Sequence, residues 1–257
     1  SAEGAWQYPI PPEANPETVD YDTFLGRAPK TPFDMTRFFR WRNYKDYGTG
    51  VAGDLFVHAF SSLNYILSSN GPTRALSTGG LRYWKDGRDV PDVTLTLYDY
   101  PKTNTHAAFN ASFRVNFIAG YGGGGGFKII GTEGAMEVDS RSVKLTRAKL
   151  NMIPASYSMI SHTEESQKKI KDAYAQKNLE SRESSLNIGE TMYEAPKNYK
   201  GSHYDHFYNF FQSIRNKKAV VEDPTFGLRA AGAALLANEG YYQGKPVNWD
   251  PDSMKLL

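Results

Sequence analysis

The middle of the chain changes from a helical to a two-residue hydrophobic period, and this change constrains the fold more than any other feature. In residues 109–117, phenylalanine, alanine and valine alternate with asparagine, serine and arginine. Such alternation is typical of a β-strand with one buried face. Further strands are predicted at 75–84, 93–98, 127–130, 135–138 and 142–146. Since no helical segment separates them, neighbouring strands are expected to run mostly antiparallel.

Helical periodicity lies on both sides of these strands. One helix is predicted from about Val51 to Ser68, and its expected buried side comprises Val51, Leu55, Ala59, Leu63 and Ile66. Two more helices are predicted near the end of the chain, beginning at Ser202 and after Asp223. The predicted fold class is therefore α+β: an open, mostly antiparallel β-sheet with helices packed on one face.

The remaining segments are expected to extend a single domain that covers residues 1–257. Residues 1–36 contain several prolines and predict an extended arm with one short helix near 17–25. Residues 33–44 are predicted to be a strand or an extended segment. Residues 150–200 are polar and predict a surface helix around 164–183.

Composition excludes several classes of function. The net charge of +2 argues against nucleic-acid binding through bulk electrostatics. The chain has 0 cysteines, which excludes disulfides and thiolate metal sites. No apolar run approaches the roughly 20 residues needed to span a bilayer, so neither nucleic acid nor membrane is a predicted partner. The first residue is serine, and no signal-peptide pattern follows, which suggests a processed or truncated product.

A glycine motif at residues 48–53 opens the first long helix. It reads G-x-G-x-x-G, the pattern of dinucleotide-binding turns. The preceding segment is charged and aromatic rather than a buried strand, and no acidic residue follows at the spacing that a ribose requires. A nucleotide site is therefore not predicted here. A second match, at Gly120, Gly122 and Gly125, is predicted to be a flexible hairpin loop.

Asp54 and His58 follow this turn four residues apart, which places both on one helix face. A carboxylate near the N-terminus and a core histidine would explain the pair in purely structural terms. The face continues, however, with Ser61, Ser62 and Tyr65 and carries no lysine or glutamate, so it is also typical of a cleft wall. In that case His58 is a candidate acid/base, with Asp54 fixing its tautomer.

A pair of histidines, His203 and His206, lies on one of the closing helices. Their spacing would permit metal binding, but no third ligand has a suitable spacing. A structural or substrate-facing role is the preferred interpretation, and no metal site is predicted.

Several of these segments together resemble the Gfo/Idh/MocA oxidoreductase family. The resemblance is carried by the glycine turn with D-x-x-x-H, by the hairpin sequence FKIIGTEGAMEV at 127–138, and by the ending from 203 through the alanines of 233–237 to YYQGKPV at 241–247. It covers nearly the whole chain but corresponds only to the second half of the family. The resemblance implies an open sheet that binds substrate and builds a homo-oligomer.

The resemblance also implies roles for individual residues. His58 would be the acid/base and Asp54 its partner, while the substrate would be a sugar or cyclitol whose hydroxyl is oxidised or reduced. Trp41, Arg42, Tyr44, Lys45 and His203 are the expected substrate-binding residues. NAD or NADP is expected for the intact protein, but the Rossmann half and its lysine have no counterpart here. This chain alone is expected to bind no cofactor and to be inactive in redox turnover.

Three alternatives stay open from the sequence: a non-catalytic carbohydrate-binding or scaffold module, an NAD-assisted glycoside hydrolase domain, and a stand-alone hydrolase that uses carboxylates and no nicotinamide. The sheet leaves a further choice. Its expected polar face, comprising Thr94, Thr96, Ser112, Arg114 and Asn116, would meet either water or another subunit.

Overall fold

The computed structural model describes residues 6–117, 126–147, 156–180 and 189–257, with the side chains of 178–180 excepted. These residues form two compact units. The first contains residues 6–117 and 202–257, and the second contains residues 126–147, 156–180 and 189–201. The predicted hairpin at Gly120, Gly122 and Gly125 lies outside the described residues.

The first unit is built on a five-stranded sheet in the order β3-β2-β1-β8-β9, with every neighbouring pair antiparallel. Its strands are β1 (Arg74–Gly80), β2 (Val93–Tyr100), β3 (Phe109–Asn116), β8 (Val247–Asp250) and β9 (Lys255–Leu256). Its helices are α1 (Tyr21–Leu25), α2 (Met35–Phe39), α3 (Val57–Leu67), α5 (Ser202–Asn216) and α6 (Pro224–Gln243). The second unit holds β4 (Phe127–Gly131), β5 (Gly134–Val138), β6 (Ser142–Arg147), α4 (Glu164–Glu180) and β7 (Gly189–Glu194), its four strands forming an antiparallel sheet in the order β4-β5-β6-β7.

Helices α3 and α6 pack on the same face of the first sheet. Phe60 of α3 stacks on Phe113 at 4.4 Å between ring centroids and meets Tyr98 edge-on at 4.9 Å. On α6, Gly240 lies beside Ser77, where an added Cβ would come 3.4 Å from the serine hydroxyl. The α+β class, with a mostly antiparallel open sheet and helices on one face, is thus confirmed, although the strands divide between two sheets.

The face assigned to two threonines was predicted wrongly. Thr94 and Thr96 pair with Val115 and Phe113, so they point toward the helices and are buried. Thr96 is tolerated there because its hydroxyl and that of Ser77 bond each other at 2.9 Å, whereas the buried hydroxyl of Thr94 has no partner among the described residues. The outward face carries leucines instead, together with Ser112, Arg114 and Asn116.

Two local predictions also differ from the structure. Residues 33–44 do not form a strand, because Asp34 caps α2 by accepting from the amides of Thr36 and Arg37. A single turn of 3₁₀ helix follows at Trp41–Asn43. The polar region after residue 150 contains the predicted helix, α4, and also the strand β7, whose exposed polar residues gave no alternating signal.

Candidate functional site

The glycine turn before α3 has a geometry that only glycine permits. Gly50 has φ +64°, and a Cβ on Gly48 would lie 3.0 Å from the Cα of Arg42. The side-chain amide of Asn238 on α6 donates to the carbonyl of Thr49 at 2.6 Å and anchors the turn. The turn therefore holds the start of the helix directly against the backbone of Arg42.

The helix begins with a π-helical turn at Ala52–Phe56 before it becomes α-helical at Val57. Such turns are rare, and those that are observed often lie at functional sites. The extra residue rotates the buried side of the helix, so that Phe56 and Phe60 face the core, while the predicted Ile66 is exposed. No signal in the sequence predicts this turn.

Asp54 lies within the π-helical turn and faces Arg42. Its carboxylate oxygen is 3.5 Å from the Nε of Arg42, and both side chains are about one-third exposed. The guanidinium of Arg42 also lies over the indole of Trp41, at 4.3 Å from the ring centroid. The structure thus brings three of the predicted site residues into one chain of contacts.

His58 lies one turn further along the helix and is exposed to solvent. Its imidazole makes no hydrogen bond or ion pair within the described part of the chain, and neither does it bond Asp54 there. Ser62 donates to its backbone carbonyl at 3.1 Å, and Tyr65 beyond is 64% exposed. The acid/base role of His58 and the orienting role of Asp54 stay predictions.

Tyr44 and Lys45 point in different directions. Tyr44 is buried, with the guanidinium of Arg37 at 4.6 Å from its ring centroid, and burial raises the pKa of its hydroxyl. Lys45 is exposed, and its ammonium lies 3.9 Å from the ring centroid of Tyr242 on α6. Tyr44 therefore contributes to packing, and the substrate-binding roles of Tyr44 and Lys45 stay predictions.

His203 lies on α5, a helix with no buried residue. Large apolar side chains of α5 are exposed, among them Phe207, Tyr208 and Phe211. Within the described ranges, no contact joins His203 to Arg42, Asp54 or His58. Its substrate-binding role stays a prediction.

A supporting ion pair near the site was missed by the sequence reasoning. Arg88 donates to both carboxylate oxygens of Asp86 at 2.8 and 2.7 Å. The same turn is hydrogen-bonded to residues 43–45. The amide of Asp89 donates to the carbonyl of Asn43, and the carboxylate of Asp89 accepts from the amide of Lys45. The close spacing of Asp86, Arg88 and Asp89 after Trp84 was the signal available.

The glycine turn at residues 48–53 lacks the geometry of a dinucleotide-binding turn. The segment before the glycine turn is a 3₁₀ turn rather than a strand, and a Cβ on Gly53 would collide with the side chain of Thr49, which fills the space there. Across the same residues, no group of three or more metal-ligating side chains was found. No described helix is long and apolar enough to cross a membrane.

Two surface grooves lie in the N-terminal part of the first unit. One, of 740 Å³, is lined by residues 14–16 and 31–37 and contains none of the predicted site residues. The other, of 610 Å³, is lined in part by Trp41 and so adjoins the contacts of Arg42 and Asp54.

Comparison with known proteins agrees with this architecture. Residues 5–75 match the family model described as "Oxidoreductase family, C-terminal alpha/beta domain" of the Gfo/Idh/MocA group. No curated protein matches the sequence.

Solved structures give the same result for the fold. A levoglucosan dehydrogenase in complex with NADH is 15% identical, with a TM-score of 0.54 over 81% of this chain and 52% of that one. An oxidoreductase from Agrobacterium radiobacter in complex with NAD+, L-tartaric acid and magnesium is 13% identical, with a TM-score of 0.50 over 80% and 50%. The chain spans about half the length of these proteins. The resemblance seen in the sequence is thereby confirmed: residues 5–75 match the C-terminal domain of the Gfo/Idh/MocA oxidoreductases, and the described residues have the α+β fold of that domain.

Proposed function

We propose that this chain is the substrate-binding and acid/base half of an NAD(P)-dependent oxidoreductase that acts on a hydroxyl of a sugar or cyclitol. The observation that carries the proposal is the contact chain Trp41–Arg42–Asp54 at the start of the helix that exposes His58. It combines an aromatic ring, a planar set of donors and a titratable imidazole, which are the groups that a polyol substrate requires.

The roles follow from the chemistry of these groups. Oxidation of a secondary alcohol removes a proton from oxygen and a hydride from carbon. His58 is proposed to accept the proton, since its imidazole is exposed and forms no hydrogen bond within the described part of the chain. The hydride acceptor is proposed to be NAD or NADP, held by residues outside this chain, since the glycine turn here follows a 3₁₀ turn and not a strand. The chain alone is therefore proposed to be inactive in redox turnover.

The solved structures with related folds support the substrate class. Levoglucosan dehydrogenase has been solved in complex with NADH and levoglucosan, with a TM-score of 0.53 to this chain, and in complex with NADH and L-sorbose, with a TM-score of 0.54. Both ligands are polyhydroxylated sugars.

The outward face of the first sheet is proposed to be the interface of a homo-oligomer. Leu76 and Leu97 are directly paired across β1 and β2, and Leu95 lies two residues from Leu97 on the same face. These side chains are 46–56% exposed. Three neighbouring exposed leucines on a sheet are typical of a surface that another subunit covers.

The test uses this chain and a form of the protein that also carries a dinucleotide-binding domain. The longer form is expected to reduce NAD or NADP with at least one member of a panel of hexoses and cyclitols, measured by NAD(P)H absorbance. The chain alone is expected to give no NAD(P)H with the same panel. Sugar-dependent NAD(P)H formation by the chain alone would contradict the proposed division, and glycoside cleavage without nicotinamide would favour a hydrolase.

A further inference from the structure

We propose that the groove beside Trp41 is a second sugar subsite, so that the substrate is a disaccharide or a glycoside rather than a free monosaccharide. The inference rests on the proposed function, since it extends the same site. Seven residues line the groove: Phe24, Leu25, Arg27, Ala28, Trp41, Asp46 and Tyr47. It is an open surface groove of 610 Å³.

The apolar part of the groove is held in place by ring contacts. Phe24 and Tyr47 lie 4.9 Å apart between ring centroids, and Phe38 supports Phe24 edge-on, also at 4.9 Å. The guanidinium of Arg42 over Trp41 restricts the orientation of the indole. Rings that are already ordered can receive the C–H face of a pyranose without a further loss of side-chain entropy.

The polar part offers both kinds of hydrogen-bonding group that a sugar needs. Arg27 is exposed and forms no ion pair with any described residue, so its donors are available. Asp46 is held by Arg37, whose Nη2 donates to Oδ2 at 3.0 Å. Its other carboxylate oxygen makes no hydrogen bond within the described part of the chain and is available as an acceptor. Sugar hydroxyls both donate and accept, so this pair of charges fits a neutral sugar ring.

Trp41 connects the groove to the proposed reaction site. It lines the groove, while Arg42 contacts both its indole and the carboxylate of Asp54. A ligand that reaches from the groove across Trp41 therefore meets Arg42 next. In this proposal the groove holds one ring of the ligand, and the ring linked to it lies beyond Trp41 beside Arg42, where it reacts at His58.

The test compares monosaccharides with disaccharides on this chain. The probes are D-glucose and D-galactose on one side, and maltose, cellobiose and lactose on the other, with binding followed by NMR shifts of the backbone amides of Arg27 and Ala28. At least one disaccharide is expected to shift these amides and to bind about tenfold more tightly than its component monosaccharides.

Arg27→Ala is expected to weaken binding of that disaccharide about tenfold and to leave monosaccharide binding unchanged. Lys102→Ala, which removes an exposed cation outside the groove, is the matched control and is expected to change neither. If no disaccharide shifts the groove amides, or if Arg27→Ala has no effect, the second subsite is refuted. The turnover test of the intact protein decides the proposed function separately.

Discussion

Replacing Asp86 with asparagine is expected to destabilise the unit that carries the site. The side chain of Arg88 is only 2% exposed, and its guanidinium lies 4.4 Å from the centroid of Trp84. Its charge is balanced by the two bonds from Asp86. Asparagine removes this charge and turns an amide donor toward an arginine donor, so that a buried cation is left without a counter-ion.

The magnitude follows from burial. Breaking a buried ion pair by removing one partner costs about 3–5 kcal/mol. Asp86 is 28% exposed, so water can partly replace it. We therefore expect a loss of about 2–4 kcal/mol in the free energy of unfolding. Urea unfolding followed by tryptophan fluorescence measures this loss in the correct unit, because all 4 tryptophans lie within it.

The matched control is Asp99→Asn. Asp99 pairs with the Nε of Arg74 at 2.7 Å, but the two side chains are 36% and 56% exposed. An exposed pair contributes less than about 1 kcal/mol. If Asp86→Asn costs no more than Asp99→Asn, burial does not determine the strength of the Asp86–Arg88 pair, and the reasoning is refuted.

Three further predictions concern packing and pH. Gly232→Ala is expected to destabilise the protein by about 1–3 kcal/mol in urea unfolding, because the added Cβ would lie 2.9 Å from the ring of Trp249. Gly227→Ala is the control in the same helix. Its added Cβ meets nothing within 4 Å, so it is expected to stabilise the protein by about 0.5–1 kcal/mol. Tyr100→Phe is expected to leave the free energy of unfolding unchanged or to raise it by about 1 kcal/mol, because the buried hydroxyl has no partner among the described residues. A loss of more than about 1 kcal/mol in urea unfolding would contradict this expectation. The arginine beside Asp86 lowers the pKa of its carboxyl from 3.8 to about 2. The stabilisation from this shift, about 1–2 kcal/mol after allowance for exposure, should be present above about pH 4 and lost as pH falls through 2, so the difference in unfolding free energy between the wild type and Asp86→Asn should narrow by about that amount.

The sequence predicted those elements whose residues alternate in polarity. The strands β2 to β6 were predicted within two residues of their observed bounds, because burial on one face of a strand gives the sequence a two-residue period. The strand predicted at 75–84 was too long, since β1 ends at Gly80. β7 is fully exposed and β9 spans only Lys255–Leu256, so neither shows such a period. The side of the sheet on which Thr94 and Thr96 lie is set by strand register, which pairs them with Val115 and Phe113. Their polarity alone suggested the opposite side.

The sequence did not predict which candidate site residues are in contact. It paired Asp54 with His58, whereas the structure pairs Asp54 with Arg42. The π-helical turn and the groove depend on tertiary packing, which the sequence does not display. Tyr44 was predicted to bind substrate because it is an aromatic residue in a polar segment. In the structure it is buried, with the guanidinium of Arg37 over its ring, and the sequence gives no sign of this packing.

The central claim is that His58 handles a proton of a bound sugar. The most direct measurement is kcat of the intact protein with its best sugar substrate, compared between His58→Asn and His162→Asn, a control at an exposed histidine in the second unit. We predict that His58→Asn lowers kcat about 10²–10⁴-fold, while His162→Asn leaves it unchanged. Normal turnover by the His58→Asn protein would contradict the account.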